Sequence, residues 1–126
     1  MNRCLVIDDS QVMRKVARSI LEGLNFDIAE AEDADVALEY CRLGMPDLIL
    51  LDFDLPGSSG VEFVRKIRRE QNGERPIIVF CTTDNDVMQI SHALAAGAND
   101  YVQKPFDRET LASKLAAANL VKARAA

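Results

Sequence analysis

The chain carries one histidine, His92, and three cysteines, Cys4, Cys41 and Cys81, in 126 residues. A lone histidine has no second ligand nearby to share a metal with, so a zinc site is not expected and His92 is expected on a solvated helix surface. The cysteines are odd in number and lack C-x-x-C spacing, and Cys4 and Cys81 lie inside apolar runs. All three are therefore expected to be small buried residues in a reducing compartment. No apolar run approaches the ~20 residues of a membrane span. Met1-Asn-Arg-Cys followed by Leu5-Val-Ile is far too short for the apolar region of a signal peptide, so a cytoplasmic location is expected. A positive net charge is also missing: 15 Lys and Arg against 20 Asp and Glu leave −5. That balance argues against nucleic acid as the main partner, since phosphate binding needs a basic surface. Linkers, low-complexity runs and repeats are absent too. What remains is the composition of one globular domain over residues 1–126, long enough to bury a core.

The centre of that domain is the stretch from Asp47 to Gly60. Leu48, Ile49, Leu50 and Leu51 are too few for a helix and too uniform for a half-exposed strand, so a strand buried on both faces is expected. It runs into a carboxylate, Asp52. Burying an aspartate there costs about several kcal/mol unless charge or hydrogen bonds compensate it. Pro56, Gly57, Ser58, Ser59 and Gly60 then turn the backbone, with Ser59 placed to cap a helix and Glu62 as its capping-box partner.

Around this centre the pattern alternates. Arg3–Ile7 is the first strand, ended by Asp8 and Asp9. Ser10 caps a helix with Met13, Val16, Ala17, Ile20 and Leu24 inward and Gln11, Arg14, Lys15 and Arg18 opposite. Phe26–Ala31 alternates apolar with acidic residues, as an edge strand does. Asp33 caps a second helix that Gly44 and Pro46 stop. Val61, Val64 and Ile67 mark a third, ending in Arg65, Lys66, Arg68 and Arg69, expected to be a solvated helix end favoured by the macrodipole. Ile77–Cys81 is a fourth strand. Asp84 caps a helix with Val87, Ile90, Leu94 and Ala98 on one face, Tyr101–Gln103 is a short fifth strand, and Asp107 caps a last helix. Strands and helices in strict alternation imply a single (βα)5, doubly wound parallel sheet, flavodoxin-like, with strand order 2-1-3-4-5.

In such sheets ligands collect beyond the carboxyl ends of the strands. Asp8 and Asp9 follow the first strand, Asp52 the third, Thr82 the fourth and Lys104 the fifth. With strands one and three adjacent, three carboxylates crowd together and repel by about a few kcal/mol at an effective dielectric near 20. A hard divalent cation is the simplest compensation, and Mg²⁺ is the best candidate. Lys104 adds a point charge and Thr82 a hydroxyl, which suits holding a phosphoryl group.

Asp8-Asp9, Asp52 before Leu-Pro-Gly-x-x-Gly, Thr82 and Tyr101-x-x-Lys104-Pro105 together resemble the receiver domain of two-component response regulators, over essentially the whole chain. The separations of 30 residues from Asp52 to Thr82 and 22 from Thr82 to Lys104 are similar to the family's spacing. The resemblance implies a bacterial signalling protein that is not a turnover enzyme. Asp52 would take a phosphoryl group from a histidine kinase or histidine phosphotransferase, forming an aspartyl phosphate. Asp9 and Asp52, with Asp8 partly through water and the backbone carbonyl of Asp54, would hold Mg²⁺. Lys104 would pair with a phosphoryl oxygen, Thr82 would move to bond another, and Tyr101 would follow it inward. The kinase side would dock near the first helix, at Gln11, Arg14 and Lys15, and the output face would be helix four, strand five and helix five. A stand-alone, chemotaxis-type receiver is expected, acting by protein contact or as a phosphate shuttle or sink, with phosphorylation-linked dimerisation left open.

Three positions depart from the family's commonest pattern. Thr83 stands where alanine or glycine is usual, and Asp54 and Asp84 add acids at the rim, at positions the family associates with phosphoryl lifetime. Taken singly, Asp8 and Asp9 are also good helix caps, Asp52 and Asp54 turn formers, Lys104 a surface residue and Tyr101 a half-buried aromatic. An enzyme reading competes as well: Asp52-Phe53-Asp54 resembles the D-x-D opening of haloacid-dehalogenase-like phosphatases, although that motif belongs near the N-terminus and the chain leaves no room for a cap domain. A flavodoxin-like cofactor binder would need a Ser/Thr/Gly-rich loop after the first strand, which is lacking.

Overall fold

The computed structural model of the chain describes residues 2–55, 59–83, 87–118 and 120. Five strands, β1 (Asn2–Ile7), β2 (Phe26–Ala31), β3 (Leu48–Asp52), β4 (Ile77–Thr82) and β5 (Asp100–Gln103), alternate with helices α1 (Gln11–Gly23), α2 (Ala34–Leu43), α3 (Gly60–Arg69), α4 (Val87–Ala96) and α5 (Arg108–Ala117). All pairings are parallel and the order is β2-β1-β3-β4-β5, as expected from the sequence.

The uniform apolar runs follow from burial on both sheet faces. Side chains alternate along a strand, so Leu5, Ile7, Ile49, Leu51, Ile78 and Phe80 pack on one face with α2, α3 and α4 residues such as Ala37, Val64 and Ala93. Cys4, Val6, Leu48, Leu50, Val79 and Cys81 pack on the other with Ala17, Leu21, Leu111 and Leu115 of α1 and α5. The three cysteines are free and buried, and burial pushes the Cys41 thiol up to about 11. His92 is exposed. No described helix is long and apolar enough to cross a membrane.

Four helix starts are capped as the sequence requires. Ser10, Asp33, Ser59 and Asp107 accept from the amides of Met13, Val36, Glu62 and Thr110 at 3.2, 2.9, 3.1 and 2.8 Å. Such a cap contributes about 1 kcal/mol. The turn residues 56–58 and the expected cap Asp84 lie outside the described residues.

Several side-chain assignments are corrected. Val16 is 40 % exposed, and α4 presents Val87 (73 %), Met88 (64 %) and Leu94 (41 %) to solvent while Ala93 is buried. With apolar residues on every side of α4, periodicity alone did not select the inward face. Arg68 is not part of a solvated helix end. Its guanidinium donates to the carbonyls of Gly73 (2.9 Å), Pro76 (2.8 Å) and Gly97 (2.8 and 3.0 Å) and to Oδ1 of Asn99 (2.9 Å). The same Asn99 oxygen accepts from the amide of Ile78 at 2.8 Å, so α3, the start of β4 and the end of α4 are tied together. Gly97, at φ +124°, lies where a Cβ would sit 2.8 Å from Cγ of Arg68.

Candidate functional site

Each chemically distinctive residue is fixed by backbone ladders that continue just past the strand ends. The Asp8 amide donates to Ala31 (3.1 Å), the Phe53 amide to Cys81 (2.9 Å) and the Lys104 amide to Thr82 (2.8 Å). These bonds place Asp8, Asp52, Thr82 and Lys104 along one sheet edge although up to 96 residues separate them. The loop after Asp52 is held close as well. The Gly60 amide donates to the Phe53 carbonyl at 3.1 Å, and a Cβ at position 60 would sit 2.9 Å from that same oxygen, so a side chain there would push the loop away.

The Lys104 ammonium bridges two carboxylates, at 2.7 Å from Asp8 Oδ2 and 3.2 Å from Asp52 Oδ1; the three side chains are only 12 %, 8 % and 12 % exposed. Asp8 Oδ1 accepts from the Ser10 amide at 2.9 Å, and Asp52 Oδ1 lies 3.4 Å from the Asp54 amide. Asp9 is exposed, yet one oxygen each from Asp8, Asp9 and Asp52 lie within 4.8 Å of one another. Two unit charges at that distance repel by about 3 kcal/mol at an effective dielectric near 20. The Lys104 ammonium pairs with two of the three carboxylates.

The titration behaviour reflects this crowding. Burial raises the Asp52 carboxyl above the usual carboxylate range and Asp8 adds to the rise, although Lys104 opposes both. Burial alone would lower the Lys104 ammonium, but its bond to Asp8 and the charges of Asp52 and Asp8 outweigh it, so Lys104 lies above its ordinary value and stays protonated. Beneath the charges is a cavity of about 10 Å³, reaching Leu50, Met13, Cys81 and Phe106. That is room for a water-sized occupant.

Of the remaining expected residues, Thr82 is buried (4 %), whereas Asp54 and Thr83 are exposed at the rim. Tyr101 is half-buried, its ring 5.9 Å from that of Phe80, with the Lys114 ammonium 4.6 Å above it. Phe53 packs against Phe80 with ring centroids 5.8 Å apart and the planes tilted by 53°. The residue after Asp52 thus reaches Tyr101 through one intervening ring, a connection the sequence signalled only as separate aromatics. Arg14, expected to be exposed, is 14 % exposed. It donates to the Asp8 carbonyl at 2.6 Å and to Glu30 at 3.0 Å.

With this geometry in view, the comparisons with known proteins agree. The model of the response regulator receiver domain matches residues 4–116. The phosphate regulon transcriptional regulatory protein PhoB of Escherichia coli is 36 % identical over 115 residues, 91 % of this chain and 50 % of PhoB, so the chain spans half the length of that relative. The chemotaxis protein CheY of Pseudomonas aeruginosa is 32 % identical over 114 residues, 90 % of this chain and 92 % of CheY. Among solved structures, the receiver domain of a sensor histidine kinase of Pseudomonas aeruginosa, determined with a magnesium ion in its active-site cleft, matches with TM-score 0.84 and 30 % identity, covering 92 % of this chain and 95 % of that one. An acidic cluster beside a bridging lysine, on a five-stranded sheet of order 2-1-3-4-5, thus coincides with a family match over nearly the full length, and the chain belongs to the response regulator receiver domains.

Proposed function

We propose that the chain accepts a phosphoryl group on Asp52 from a phosphohistidine and signals through the resulting change of surface. The observation that carries this reading is the Lys104 ammonium within 3.2 Å of Asp52 and 2.7 Å of Asp8, at the rim of a three-carboxylate cluster. An oxygen of Asp52 forms the new O–P bond as the P–N bond to the donor imidazole breaks. The electron pair of that bond stays on the leaving nitrogen, and the product is an aspartyl phosphate.

The donor set suits Mg²⁺: it is made of carboxylate oxygens, with no nitrogen or sulfur ligand, and one member, Asp9, is open to water. Asp8, Asp9 and Asp52 would hold it with the backbone carbonyl of Asp54. When bound, the ion neutralises part of the negative charge that gathers on the transferring group's oxygens. Lys104, held protonated by its neighbours, supplies a second positive charge to those oxygens. The Thr82 hydroxyl then bonds a further phosphoryl oxygen, and Tyr101, packed on Phe80, follows it, altering the α4–β5–α5 face.

The donor is a histidine kinase or histidine phosphotransferase docking near α1, where Gln11 and Lys15 are exposed. The recipient is a protein partner or a second copy meeting α4, β5 and α5, and the same chemistry serves a shuttle or sink. Reaction stops at one phosphoryl group per chain, which separates it from the phosphatase reading of Asp52-Phe53-Asp54. Thr83 and Asp54 at the rim, together with Asp84, set how long that group lasts.

The test is incubation with a small-molecule phosphodonor, with and without Mg²⁺, read by intact mass. Wild type gains one phosphoryl group only with Mg²⁺, and Asp52→Asn gains none. Uptake by Asp52→Asn, or continuous turnover of a generic phosphomonoester, overturns the reading.

A further inference from the structure

The acidic pair sits on a short turn between β1 and α1, and the two carboxylates of that turn are treated differently. Asp8 is anchored at every polar group: its amide to Ala31 (3.1 Å), its side chain to the Ser10 amide (2.9 Å) and Lys104 (2.7 Å), and its carbonyl to Arg14 (2.6 Å). Asp9 is exposed, and no hydrogen bond or ion pair from a described residue orients its carboxylate. Its oxygen nonetheless lies within 4.8 Å of those of Asp8 and Asp52. The anchored group next to it is the peptide plane joining Asp8 to Asp9, whose oxygen is the atom that Arg14 holds.

Arg14 is itself braced. Its Nε donates to Glu30 Oε1 at 3.0 Å while Arg18 Nε takes Oε2 of the same carboxylate at 2.7 Å. Glu30 stands on β2, whose register against β1 sets it opposite Val6. Arginine suits this task because its planar fork reaches two acceptors at once in fixed geometry, which a lysine ammonium does not reproduce.

We propose that Arg14, braced by Glu30, is a positioning residue of the acidic site: it fixes the Asp8–Asp9 peptide plane and so aims the Asp9 carboxylate at the cation position beside Asp52. This rests on the proposed function, since it takes that position to be where Mg²⁺ binds. Groups in the shell around metal ligands typically change affinity by about 10–100-fold when removed.

Charge and geometry oppose each other here, which makes the test decisive. If Arg14 acted as a nearby positive charge, Arg14→Met would tighten Mg²⁺ binding and Arg14→Lys would leave it unchanged. As a positioning group, Arg14→Lys and Arg14→Met both weaken binding roughly tenfold, and Glu30→Gln weakens it less, because the bond to Asp8 survives without its brace. Mg²⁺ affinity is measured by titration calorimetry on the full chain, with thermal unfolding of the metal-free proteins alongside. Amide shifts of Asp9 and Ser10 in the metal-free variants move in the same order. Unchanged affinity in a folded Arg14→Lys or Glu30→Gln protein overturns the inference while leaving the proposed function intact. Wild type without any Mg²⁺ binding overturns both.

Discussion

At the edge of the sheet where the strands begin, the Arg68 guanidinium donates to three carbonyls and to Asn99, and Arg3 meets Asp47, Tyr40 and Gly44. At the edge where they end, Asp8 and Asp52 share the ammonium of Lys104, and a third carboxylate, Asp9, stands exposed beside them. Both edges bury charged groups within one fold. The first satisfies them internally and is a device for stability. The second gathers more negative than positive charge among its described residues, and the proposed function draws on that surplus.

Breaking the first edge gives the largest effect. Arg68→Ala removes the donor from partly buried acceptors and is expected to lower unfolding free energy by about 3 kcal/mol, read by urea denaturation. Phosphoryl uptake per folded molecule stays at the wild-type level. Loss of uptake in the folded variant would show that the two edges are not separate devices.

At the second edge, Lys104→Met is expected to slow phosphoryl uptake about tenfold or more at saturating Mg²⁺, measured by intact mass against time. A smaller and opposite effect concerns stability. Because burial raises Asp52 in the folded state, its contribution to stability is full below the ordinary carboxylate range and is lost as pH rises through the raised value. At neutral pH without metal, Asp52→Asn is therefore expected to be more stable than wild type. Thermal unfolding in chelator shows the gain, and it shrinks as pH falls through the carboxylate range. The smallest effect is at the rim: if Thr83 obstructs in-line water, Thr83→Ala loses its phosphoryl group about two- to fivefold faster than wild type, a change of under ~1 kcal/mol in barrier.

The strands, their order and the caps were legible because each rests on local or topological rules. The run Leu48 to Leu51 has no reading but a doubly buried strand, and Ser10, Asp33, Ser59 and Asp107 each precede the helix they cap. The grouping of residues was legible for a related reason: parallel topology brings strand ends to one edge, and there Lys104 meets Asp8 and Asp52 while Thr82 ends β4. What escaped was the reach of long side chains. Arg68 finds Asn99 31 residues away and Arg14 finds Glu30 16 away, and charge alone marks both as surface residues. Nor does adjacency say which of two neighbouring aspartates turns inward. The structure buries Asp8 against Lys104, with its carbonyl bonded by Arg14 and its carboxylate by the Ser10 amide, and leaves Asp9 outside.

The contrast between the edges is tested most directly with Mn²⁺ as a paramagnetic probe for the Mg²⁺ position, followed by amide NMR. Selective broadening of Asp8, Asp9, Ser10, Asp52, Phe53 and Lys104, with Arg3, Asp47, Arg68 and Asn99 left sharp, is the predicted result. Broadening centred on the opposite edge, or spread evenly over the acidic surface, would contradict it.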